Sequence, residues 1–509
     1  MRPINLNDAL VLDRRSPQTL VRQLHGLLRE MIHSRKLKPG TELPSTRSLA
    51  SDLSIGRNTV IAAYDQLLTE GYLLNRDNAR PVVVDLPLGP PAQETPEPAE
   101  ILSKLSARGR EMLEQPFFIG QTGRTAFHPG MPDAEEFPFV QWSRLLARRA
   151  AAGRESLFGT YDVLGYPQLR ESIANYLNAA RGMRCSPEQV VITTGAQGAF
   201  DLLARLLIDP GDAVWMEEPG YYGAQAAFAL AGATLLPLHV TLDGWILEIS
   251  PQPTPKVIYV TPSCHHPLGV TMQIEQRLRL LKSAERMNAW VIEDDYDSEF
   301  RFHGHAVPAM HGTDNSHRVI YVGTFAKMLF PALRLAFMVL PRALTDRIGH
   351  ALSVSGHVAP LVLQAALADF INQGLMTSHL RRMRRLYTAR REAFREACNE
   401  ELADRIDLGI GSGIQAIGFF RRELDDKAVA AAARRRGIIV SPLSMQYRHG
   451  AARHGLVLGF ASTPVERIRA GISKLKDAFL EVEAAPGVRR TMNGRRSPMD
   501  VKRSLHEAQ

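Results

Sequence analysis

One lysine stands in an otherwise apolar run of the sequence. Residues 321–334 read YVGTFAKMLFPALR, in which Lys327 is the first charged residue and Arg334 the last. An ammonium group among phenylalanine, methionine and leucine side chains loses hydration, which favours the neutral amine. A neutral lysine amine is a nucleophile towards aldehydes. Lys327 is therefore a candidate for covalent chemistry, although such a lysine can also extend its charged end to solvent.

Polar residues after other predicted strands supply the groups that an aldehyde cofactor needs. Residues 290–300 read WVIEDDYDSEF, a strand that runs into Asp294 and Tyr296. An acid can keep the ring nitrogen of pyridoxal phosphate protonated, and a phenol can bond the ring hydroxyl. Residues 191–200, VITTGAQGAF, predict a strand, a glycine turn and a helix start, where free N–H groups bind phosphate. Each signal alone is weak, but their order along the chain indicates a pyridoxal phosphate site.

Further residues extend this predicted cofactor site. Arg334 can give a phosphate a bidentate partner, and Tyr221, in EEPGYYG, offers an aromatic face to a ring. The loop SCHHPLG brings His265 or His266 near the ring hydroxyl, where a titratable group would make the cofactor spectrum sensitive to pH. For either histidine, an ordinary hydrogen-bonded loop position is an equally good interpretation.

The elements that must position these residues alternate between strands and amphipathic helices. Between residues 125 and 484 the runs VVITT, AVWME, VIYVTP, AWVIEDD and RVIYVGT each stand between longer helical patterns. The alternation predicts an α/β fold with a mostly parallel central sheet. Residues 86–124 predict a proline-rich linker with a short helix, and residues 485–509 predict a basic disordered tail.

Length, composition and charge limit the classes to which the protein can belong. The chain has 509 residues, a hydrophobic content of 45% and a net charge of +8. Residues 1–80 hold twelve Lys and Arg against eight Asp and Glu, and residues 486–509 hold six against two. Positive charge at both ends suggests a polyanionic partner, or a solubilising surface.

Three widely spaced cysteines argue against a disulfide framework or a cysteine-rich metal site, and they fit a reducing cytoplasm. The sequence has no apolar stretch long enough to span a membrane. Its first residues lack the charged and apolar layout of a secretory signal. We therefore expect a cytoplasmic protein without a metal site.

Residues 1–85 have the pattern of a winged helix-turn-helix. Ser16 and Pro17 suit the N-cap and the first position of a helix. An apolar stripe follows at helical spacing, formed by Leu20, Leu24, Leu27, Leu28 and Met31. Ser45 can cap a short second helix, TRSLASDL, and the turn SIG leads into a third. Leu73–Leu74 and residues 81–85 then predict a hairpin.

The start of the third helix carries residues that could read DNA. Arg57, Asn58 and Thr59 lie outside its apolar stripe, and a recognition helix reads base edges with its N-terminal residues. Arg47 and Ser45 can hold phosphates. A solvated charged helix face is the alternative interpretation for any one of these residues.

The predicted wing adds Arg76 and Arg80, which can reach a groove. The motifs PSTR, GRNTV and EGYL, within residues 16–75, closely resemble the DNA-binding domain of the GntR family of bacterial repressors. The wing departs from the family pattern, because RDNARPVV replaces the usual glycine-rich R-x-G-S-G-T.

Residues 125–484 resemble fold-type I aminotransferases, and the whole chain resembles the MocR-type regulators, the GntR branch that includes GabR, PdxR and TauR. The resemblance implies that Lys327 forms a Schiff base with pyridoxal phosphate, that Asp294 bonds the ring nitrogen and that Tyr296 bonds the ring hydroxyl. The remaining cofactor contacts that it implies are Gly195, Ala196, Gln197 and Arg334 at the phosphate, Tyr221 on the ring face, His266 at the ring hydroxyl and Tyr161 from a second subunit.

The same resemblance implies a homodimer, head-to-tail, in which each DNA-binding domain lies against the other subunit. It implies double-stranded operator DNA and a small-molecule effector as partners. A bacterial protein of this kind would lie in the cytoplasm and associate with the nucleoid when bound to DNA.

One departure bears on function. Aminotransferases bind the substrate carboxylate through an arginine on a late strand, and the matching stretch HGLVLGFA aligns Val457 with that position. Arg453 is the nearest candidate. A missing cation would lower affinity for α-amino acids, which leaves pyridoxal phosphate itself or an unusual amine as effector.

We therefore expect a transcriptional regulator that senses pyridoxal phosphate or an amine through Lys327, with no efficient turnover beyond transaminase half-reactions. One alternative is an active aminotransferase with an accessory DNA-binding domain. Another is a DNA-binding protein whose large domain serves only for dimerisation.

Overall fold

A computed structural model describes residues 10–75, 80–86, 102–115, 125–159, 162–247, 253–302 and 307–485. The chain divides into two compact units, Met1–Ser106 and Ala107–Gln509, which are described separately. Most of the predicted linker and tail, together with Arg76 and Tyr161, lie outside the described residues.

The first unit is a winged helix-turn-helix, as predicted. Its elements are α1 (Leu20–His33), α2 (Thr46–Asp52), α3 (Arg57–Thr69), β1 (Leu73–Leu74) and β2 (Val82–Val83). The two strands pair antiparallel. Apolar residues at helical spacing on α1 and α3 form one buried core, which includes Leu24, Leu28, Val60, Tyr64 and Leu67. Helices and hairpin thus share a single small core.

The first helix begins later than the sequence predicted. Thr19, not Ser16, is its N-cap, and the Thr19 hydroxyl accepts the Arg22 N–H at 3.4 Å. The Ser16 hydroxyl instead accepts the Gln18 N–H at 3.2 Å, which holds the preceding residues in a turn. A serine that bonds the backbone locally competes with capping the helix, and this explains the difference.

The second unit contains an eight-stranded mixed sheet. Its strands are β3 (Val190–Thr193), β4 (Ala213–Glu218), β5 (Thr234–Thr241), β6 (Gly244–Trp245), β7 (Val257–Val260), β8 (Trp290–Asp295), β9 (Val319–Thr324) and β10 (Ala336–Val339). Their order is β3-β10-β9-β8-β7-β4-β5-β6. Strands β9, β8, β7, β4 and β5 run parallel to one another. Strand β10 pairs antiparallel with β3 and β9, and β6 pairs antiparallel with β5.

The second unit also contains helices, some of which cover this sheet. They are α4 (Ala107–Glu114), α5 (Phe139–Ala152), α6 (Arg154–Phe158), α7 (Pro167–Arg181), α8 (Gly195–Leu207), α9 (Tyr222–Leu230), α10 (Ile274–Met287), α11 (Arg342–Ser355), α12 (Leu361–Asn372), α13 (Leu375–Glu401), α14 (Asp426–Arg435) and α15 (Val465–Ala484). No helix within the described ranges has the length and apolar character to cross a bilayer.

A second, smaller sheet lies between the later helices in the sequence. Its strands are β11 (Ile406–Gly409), β12 (Gln415–Phe420), β13 (Ser441–Pro442) and β14 (Gly455–Gly459), in the order β11-β12-β14-β13. All pairs are antiparallel. This sheet packs with α13, α14 and α15 in a core of its own, so the unit has a large and a small part.

The five strands that the sequence predicted correspond to β3, β4, β7, β8 and β9. Every residue of β3, β4, β7 and β9 is buried, which is expected for strands covered by helices on both faces. Because β3, β4, β8 and β9 run in the same direction, their carboxyl ends meet at one edge of the sheet. Ligands of open α/β sheets bind at that edge.

Gly459 in β14 lets a loop approach that edge closely. A Cβ at this position would overlap the carbonyl oxygen of His128. We expect Gly459→Ala to lower the free energy of unfolding by about 2 kcal/mol, because the backbone must move to relieve the overlap. Denaturant unfolding followed by tryptophan fluorescence measures this, since the four tryptophans, Trp142, Trp215, Trp245 and Trp290, all lie in the second unit.

Gly409→Ala is the matched control in the same sheet. Its nearest contact would be an ordinary one, 3.7 Å from a ring carbon of Phe419. We expect a change within about 0.5 kcal/mol, as is usual for substitutions without a clash. Equal losses in the two variants would contradict a specific role for Gly459.

Candidate functional site

A cavity of about 310 Å³ lies at the carboxyl edge of the large sheet. The structure brings nine of the predicted cofactor residues into its lining: Gly195, Ala196, Gln197, Tyr221, His266, Asp294, Tyr296, Lys327 and Arg334. Each follows or ends a strand of that sheet or lies in a loop beside it. The predicted crossover residue Tyr161 is outside the described residues.

Lys327 follows β9 and its amine faces the cavity. The amine donates a hydrogen bond to the carbonyl oxygen of Gly130 at 2.5 Å. Gly130 has a φ of +63°, a backbone conformation that favours glycine, and a Cβ there would lie 2.7 Å from Nζ, so that the amine would have to shift. Burial lowers the pKa of Lys327, against the opposing charges of Asp297 and Asp294. This shift is towards the neutral, nucleophilic form, which is the direction that the apolar run predicts.

Asp294 is the second-to-last residue of β8 and is buried. Burial raises its pKa to about 7, although a hydrogen bond from Tyr259 acts in the opposite direction. The Tyr259 hydroxyl donates to Oδ2 at 2.5 Å. The other oxygen, Oδ1, is buried and has no hydrogen-bond partner among the described residues. Asp294 thus presents an open acceptor site to a proton donor in the cavity.

Sequence reasoning missed Tyr259. It lies in β7 within the run VIYV, where a tyrosine is indistinguishable from any other core aromatic residue. Only the pairing of β7 beside β8, with Tyr259 opposite Ile292, brings its hydroxyl to the carboxylate. The loop HPGMPD, which holds Gly130, had a usable signal, since glycine and proline together mark a turn.

One end of the cavity is suited to an anion. Gly195, with a φ of +80°, begins α8, whose first N–H groups lack partners within the helix. The exposed guanidinium of Arg334 lies beside it, since a Cβ at Gly195 would be 3.4 Å from Cζ. A helix N-terminus and an arginine together form a phosphate-binding arrangement. The Gln197 amide is used elsewhere, because it donates to the Gly223 carbonyl at 2.9 Å.

Aromatic groups form other parts of the lining. Tyr221 follows β4, and its ring contacts His266 edge to face at 5.5 Å between centroids. The Tyr296 hydroxyl lies 3.6 Å from the Cys264 sulfur. Burial raises the pKa of Tyr221 to about 12 and that of Tyr296 well above its usual range. Both phenols therefore remain protonated and can donate hydrogen bonds.

The two loop histidines differ in position. His266 lines the cavity, whereas His265 is fully buried and its ring accepts the Leu268 N–H at 3.3 Å. Burial lowers the pKa of His266 to about 4. This histidine stays neutral at physiological pH, so the structure does not favour the pH-sensitive role that the sequence suggested.

The small sheet contributes the part of the lining that includes Val457, Gln415 and Ser441, joined by Gln446 from the segment after β13. Arg453 does not line the cavity. Its guanidinium lies over the ring of Phe419, 3.8 Å from the centroid. The prediction that Arg453 binds an effector carboxylate therefore has no support in the structure.

The predicted DNA-reading residues lie together around the turn between α2 and α3. Arg47, Arg57 and Asn58 are exposed and Thr59 is half-buried. Arg57 begins α3, and its Nε donates to the Thr46 hydroxyl at 3.4 Å.

Ser45 is also exposed, and it is the N-cap of α2, where its hydroxyl accepts the Ser48 N–H at 3.1 Å. Arg80 is exposed in the described part of the wing. Exposed cations beside a helix N-terminus match the contacts that position a recognition helix on DNA.

Comparison with known proteins identifies both domains. Residues 20–83 match the family of bacterial regulatory proteins of the gntR type, and residues 132–456 match aminotransferase class I and II. The solved structure of Pyrococcus horikoshii kynurenine aminotransferase, in complex with PMP, superposes with a TM-score of 0.67 at 25% identity, over 76% of this chain and 97% of that one. The fold and site thus define a GntR-type DNA-binding domain joined to an aminotransferase-like domain.

Two relatives match this chain over nearly its whole length. The probable rhizopine catabolism regulatory protein MocR of Rhizobium meliloti is 48% identical, over 94% of this chain and 97% of its own length. The transcriptional regulator TauR of Rhodobacter capsulatus is 30% identical, over 91% of this chain and 96% of its own length. The chain belongs to the MocR-type transcriptional regulators of the GntR family.

The position of Arg57 generates a test of DNA reading. An exposed arginine at the start of the recognition helix can bond a base in the major groove, so Arg57→Ala should cost about 1–3 kcal/mol on operator DNA and relax preference at one position. Arg47→Ala, on the preceding helix, should weaken binding to operator and random DNA more evenly. Gel-shift titrations on both DNAs measure this, and equal losses for Arg57→Ala on both would contradict a base-reading role.

Proposed function

We propose that this regulator binds pyridoxal phosphate through Lys327 and uses the cofactor site to sense an amine, an amino acid or pyridoxal phosphate itself. Residues 1–85 would bind the operator and residues 125–484 the cofactor and effector. The observation that carries the proposal is the convergence of an amine, an open carboxylate acceptor and an anion site on one cavity.

The residues present fit the cofactor. The unpartnered Oδ1 of Asp294 can accept a proton from a ring nitrogen, and Arg334 with the first N–H groups of α8 can hold a phosphate. Tyr221 can stack on a ring, and Tyr296 can donate to a ring hydroxyl. Bound pyridoxal phosphate would supply an electrophilic aldehyde conjugated to an electron sink. The residues of the chain would orient the cofactor, Asp294 would hold the proton of its ring nitrogen, and Lys327 would provide the amine.

A sensing role is favoured over efficient transamination by the position of Val457. A buried carboxylate needs a cationic partner, and the cavity offers an apolar side chain where aminotransferases have an arginine. Half-reactions with amines remain compatible with the residues around Lys327. Sensing requires only that the ligand bind two states of the regulator with different affinity.

We also propose a homodimer in which Tyr161 reaches the cofactor of the other subunit. The proposal rests on the family resemblance. A regulator that binds DNA acts in the bacterial cytoplasm, associated with the nucleoid while bound.

Replacement of Lys327 tests the covalent link. Protein incubated with pyridoxal phosphate should gain visible absorbance, and borohydride should fix the cofactor on Lys327, detectable by peptide mass spectrometry. Lys327→Ala should abolish both signals, because no other neutral amine lines the described cavity. The exposed residue Lys282, on α10, provides the control: Lys282→Ala should retain both. An adduct that persists in Lys327→Ala would refute the proposal.

Gel shifts on the DNA upstream of the protein's own gene test the regulatory part. The wild-type protein should form a retarded complex whose midpoint changes with cofactor or effector, whereas Lys327→Ala should bind DNA without that response. The contradicting outcome is that the wild-type protein binds DNA with the same affinity with and without cofactor or amine. The large domain would then be only a dimerisation scaffold.

The hydrogen bond from Tyr259 generates a prediction with a pH signature. Tyr259→Phe removes the donor that lowers the pKa of Asp294, so this pKa should rise above about 7 and less carboxylate should be present at neutral pH. Cofactor affinity should fall about tenfold at pH 7, as for loss of a hydrogen bond to a charged group of ~1.5 kcal/mol. This loss of cofactor affinity should grow towards pH 6. It should shrink towards pH 9, where Asp294 is ionised in both the variant and the wild-type protein.

Stability of the cofactor-free protein separates this effect from misfolding. In the cofactor-free protein Asp294 can take up a proton, so loss of the Tyr259 hydroxyl does not leave a buried charge without a donor. Tyr259→Phe should therefore unfold at nearly the wild-type denaturant concentration. An equal affinity loss at every pH would argue that Tyr259 acts through packing alone.

A further inference from the structure

A second buried acid lies close to the cofactor site in the large sheet. Glu217 is in β4, and its side chain is fully buried. Strand β4 pairs with β7, which in turn pairs with β8, the strand of Asp294. None of the proposed cofactor contacts uses Glu217. A buried acid costs free energy unless its oxygens are hydrogen-bonded, so its partners indicate what it does.

Both oxygens of Glu217 have hydrogen-bond partners. Oε1 accepts the indole N–H of Trp245 at 2.7 Å and the backbone N–H of Thr261 at 2.9 Å. Oε2 lies 2.5 Å from the hydroxyl oxygen of Thr261. One carboxyl group therefore contacts both the backbone and the side chain of Thr261, which fixes the first residue after β7.

The Thr261 hydroxyl continues these contacts to the cavity. Its oxygen accepts the backbone N–H of His266 at 3.1 Å. The ring of His266 lines the cavity and contacts Tyr221 and Tyr296 edge to face, with centroid distances of 5.5 and 5.9 Å. These tyrosines are the two phenols proposed to contact the cofactor ring. Through Thr261, Glu217 thus holds the loop whose histidine packs against both phenols.

No full cation balances the charge of Glu217. Among the described residues, His265 is the only basic side chain within 4.0 Å of its carboxyl group, with Nε2 3.7 Å from Oε2. Burial lowers the pKa of His265 well below its usual range, so this ring is neutral. Burial also raises the pKa of Glu217 to about 8, and the charge of Asp294 acts in the same direction. The hydrogen bonds from Thr261 and Trp245 oppose this shift.

The geometry accommodates a proton on Glu217. A threonine hydroxyl has one hydrogen and two acceptor sites. The contact between Glu217 and Thr261 can therefore run in either direction while the same oxygen accepts from His266. Tyr259, on the neighbouring strand, carries no charge either, because burial raises its pKa well above the usual range. The neutral acid needs no new partner.

We propose that Glu217 is a positioning residue of the cofactor site and that it acts as a neutral acid. It fixes the loop of Thr261 and His266 against the two phenols without adding a second negative charge near Asp294. The inference rests on the proposed function, because the position of this loop matters to the cofactor only when the cofactor is bound.

Stability of the cofactor-free protein tests the protonation state. A glutamic acid in an unfolded chain ionises near pH ~4.3, whereas Glu217 keeps its proton in the folded protein up to about pH 8. Between these values the folded state binds more protons, so the wild-type protein loses stability as pH rises. Glu217→Gln does not titrate. Its urea midpoint, relative to that of the wild type, should rise by roughly 0.5 M or more from pH 5 to pH 8.

Cofactor binding tests the positioning role. Thr261→Val removes the hydroxyl that joins Glu217 to His266. It should lower the affinity for pyridoxal phosphate about tenfold and weaken the visible circular dichroism of the bound cofactor. Glu217→Gln retains an acceptor and a donor, so its affinity at pH 7 should stay within about threefold of the wild-type value. Trp245→Phe is the control. It removes the other donor to Glu217, so it should lower the urea midpoint and leave both cofactor signals close to wild type.

The failures are distinguishable. Equal cofactor losses in Thr261→Val and Trp245→Phe would overturn the positioning role, and a tenfold loss in Glu217→Gln would show that the site needs a carboxylate. A midpoint difference that does not change with pH would overturn the neutral acid. Each of these results leaves the proposed function intact. A wild-type protein that never carries cofactor on Lys327 overturns the proposed function and the positioning role with it.

Discussion

The site depends on the burial of opposite charges around one cavity. Desolvation lowers the pKa of Lys327 and raises that of Asp294, so that each group moves towards its neutral form. Neither side chain has a partner of full opposite charge within hydrogen-bond distance in the described chain, since the amine donates to the Gly130 carbonyl and Asp294 accepts only from the Tyr259 hydroxyl, which leaves Oδ1 without a partner. A ligand with an aldehyde at one end and a cationic ring nitrogen satisfies both. Burial of these two groups is therefore electrostatically unfavourable in the empty cavity, and binding of one class of cofactor would relieve this cost.

This arrangement is possible because the strands end together. Parallel strands covered on both faces form a rigid frame, and the turns that follow β3, β8 and β9 deliver an anion site, an acid and an amine to one edge. The small sheet closes the cavity, and Gly459 allows the His128 carbonyl to approach it. Gly130, two residues later, leaves room for the amine. The chemistry therefore depends on backbone packing at two glycines as much as on the ionisable groups.

Sequence reasoning succeeded where chemistry and order along the chain carry the information. Lys327, Asp294 and Arg334 follow strongly apolar strands, so their convergence could be predicted from the topology that such strands favour. Sequence reasoning failed where contacts depend on strand register or on competition between alternative hydrogen bonds. In the sequence Tyr259 cannot be distinguished from a core residue, and only the pairing of β7 with β8 brings its hydroxyl to Asp294. Ser16 has the residue type of an N-cap, but its hydroxyl accepts the Gln18 N–H instead. Arg453 is near the site in sequence, but cation–π contact with Phe419 holds it away.

Val457 lies on a different sheet from the groups that would contact the cofactor. Asp294 is in the large sheet and Lys327 follows one of its strands, whereas Gln415, Ser441 and Val457 belong to β12, β13 and β14. A substitution on the small sheet can therefore change the class of ligand without disturbing Lys327 or Asp294. An enzyme that lost its carboxylate cation would lose transition-state binding and hence turnover. A regulator loses nothing by this change, because a coupling of about 1–3 kcal/mol between ligand and DNA is sufficient for control. The combination of an intact cofactor site with an uncharged ligand face is therefore more readily retained in a sensor than in a transaminase.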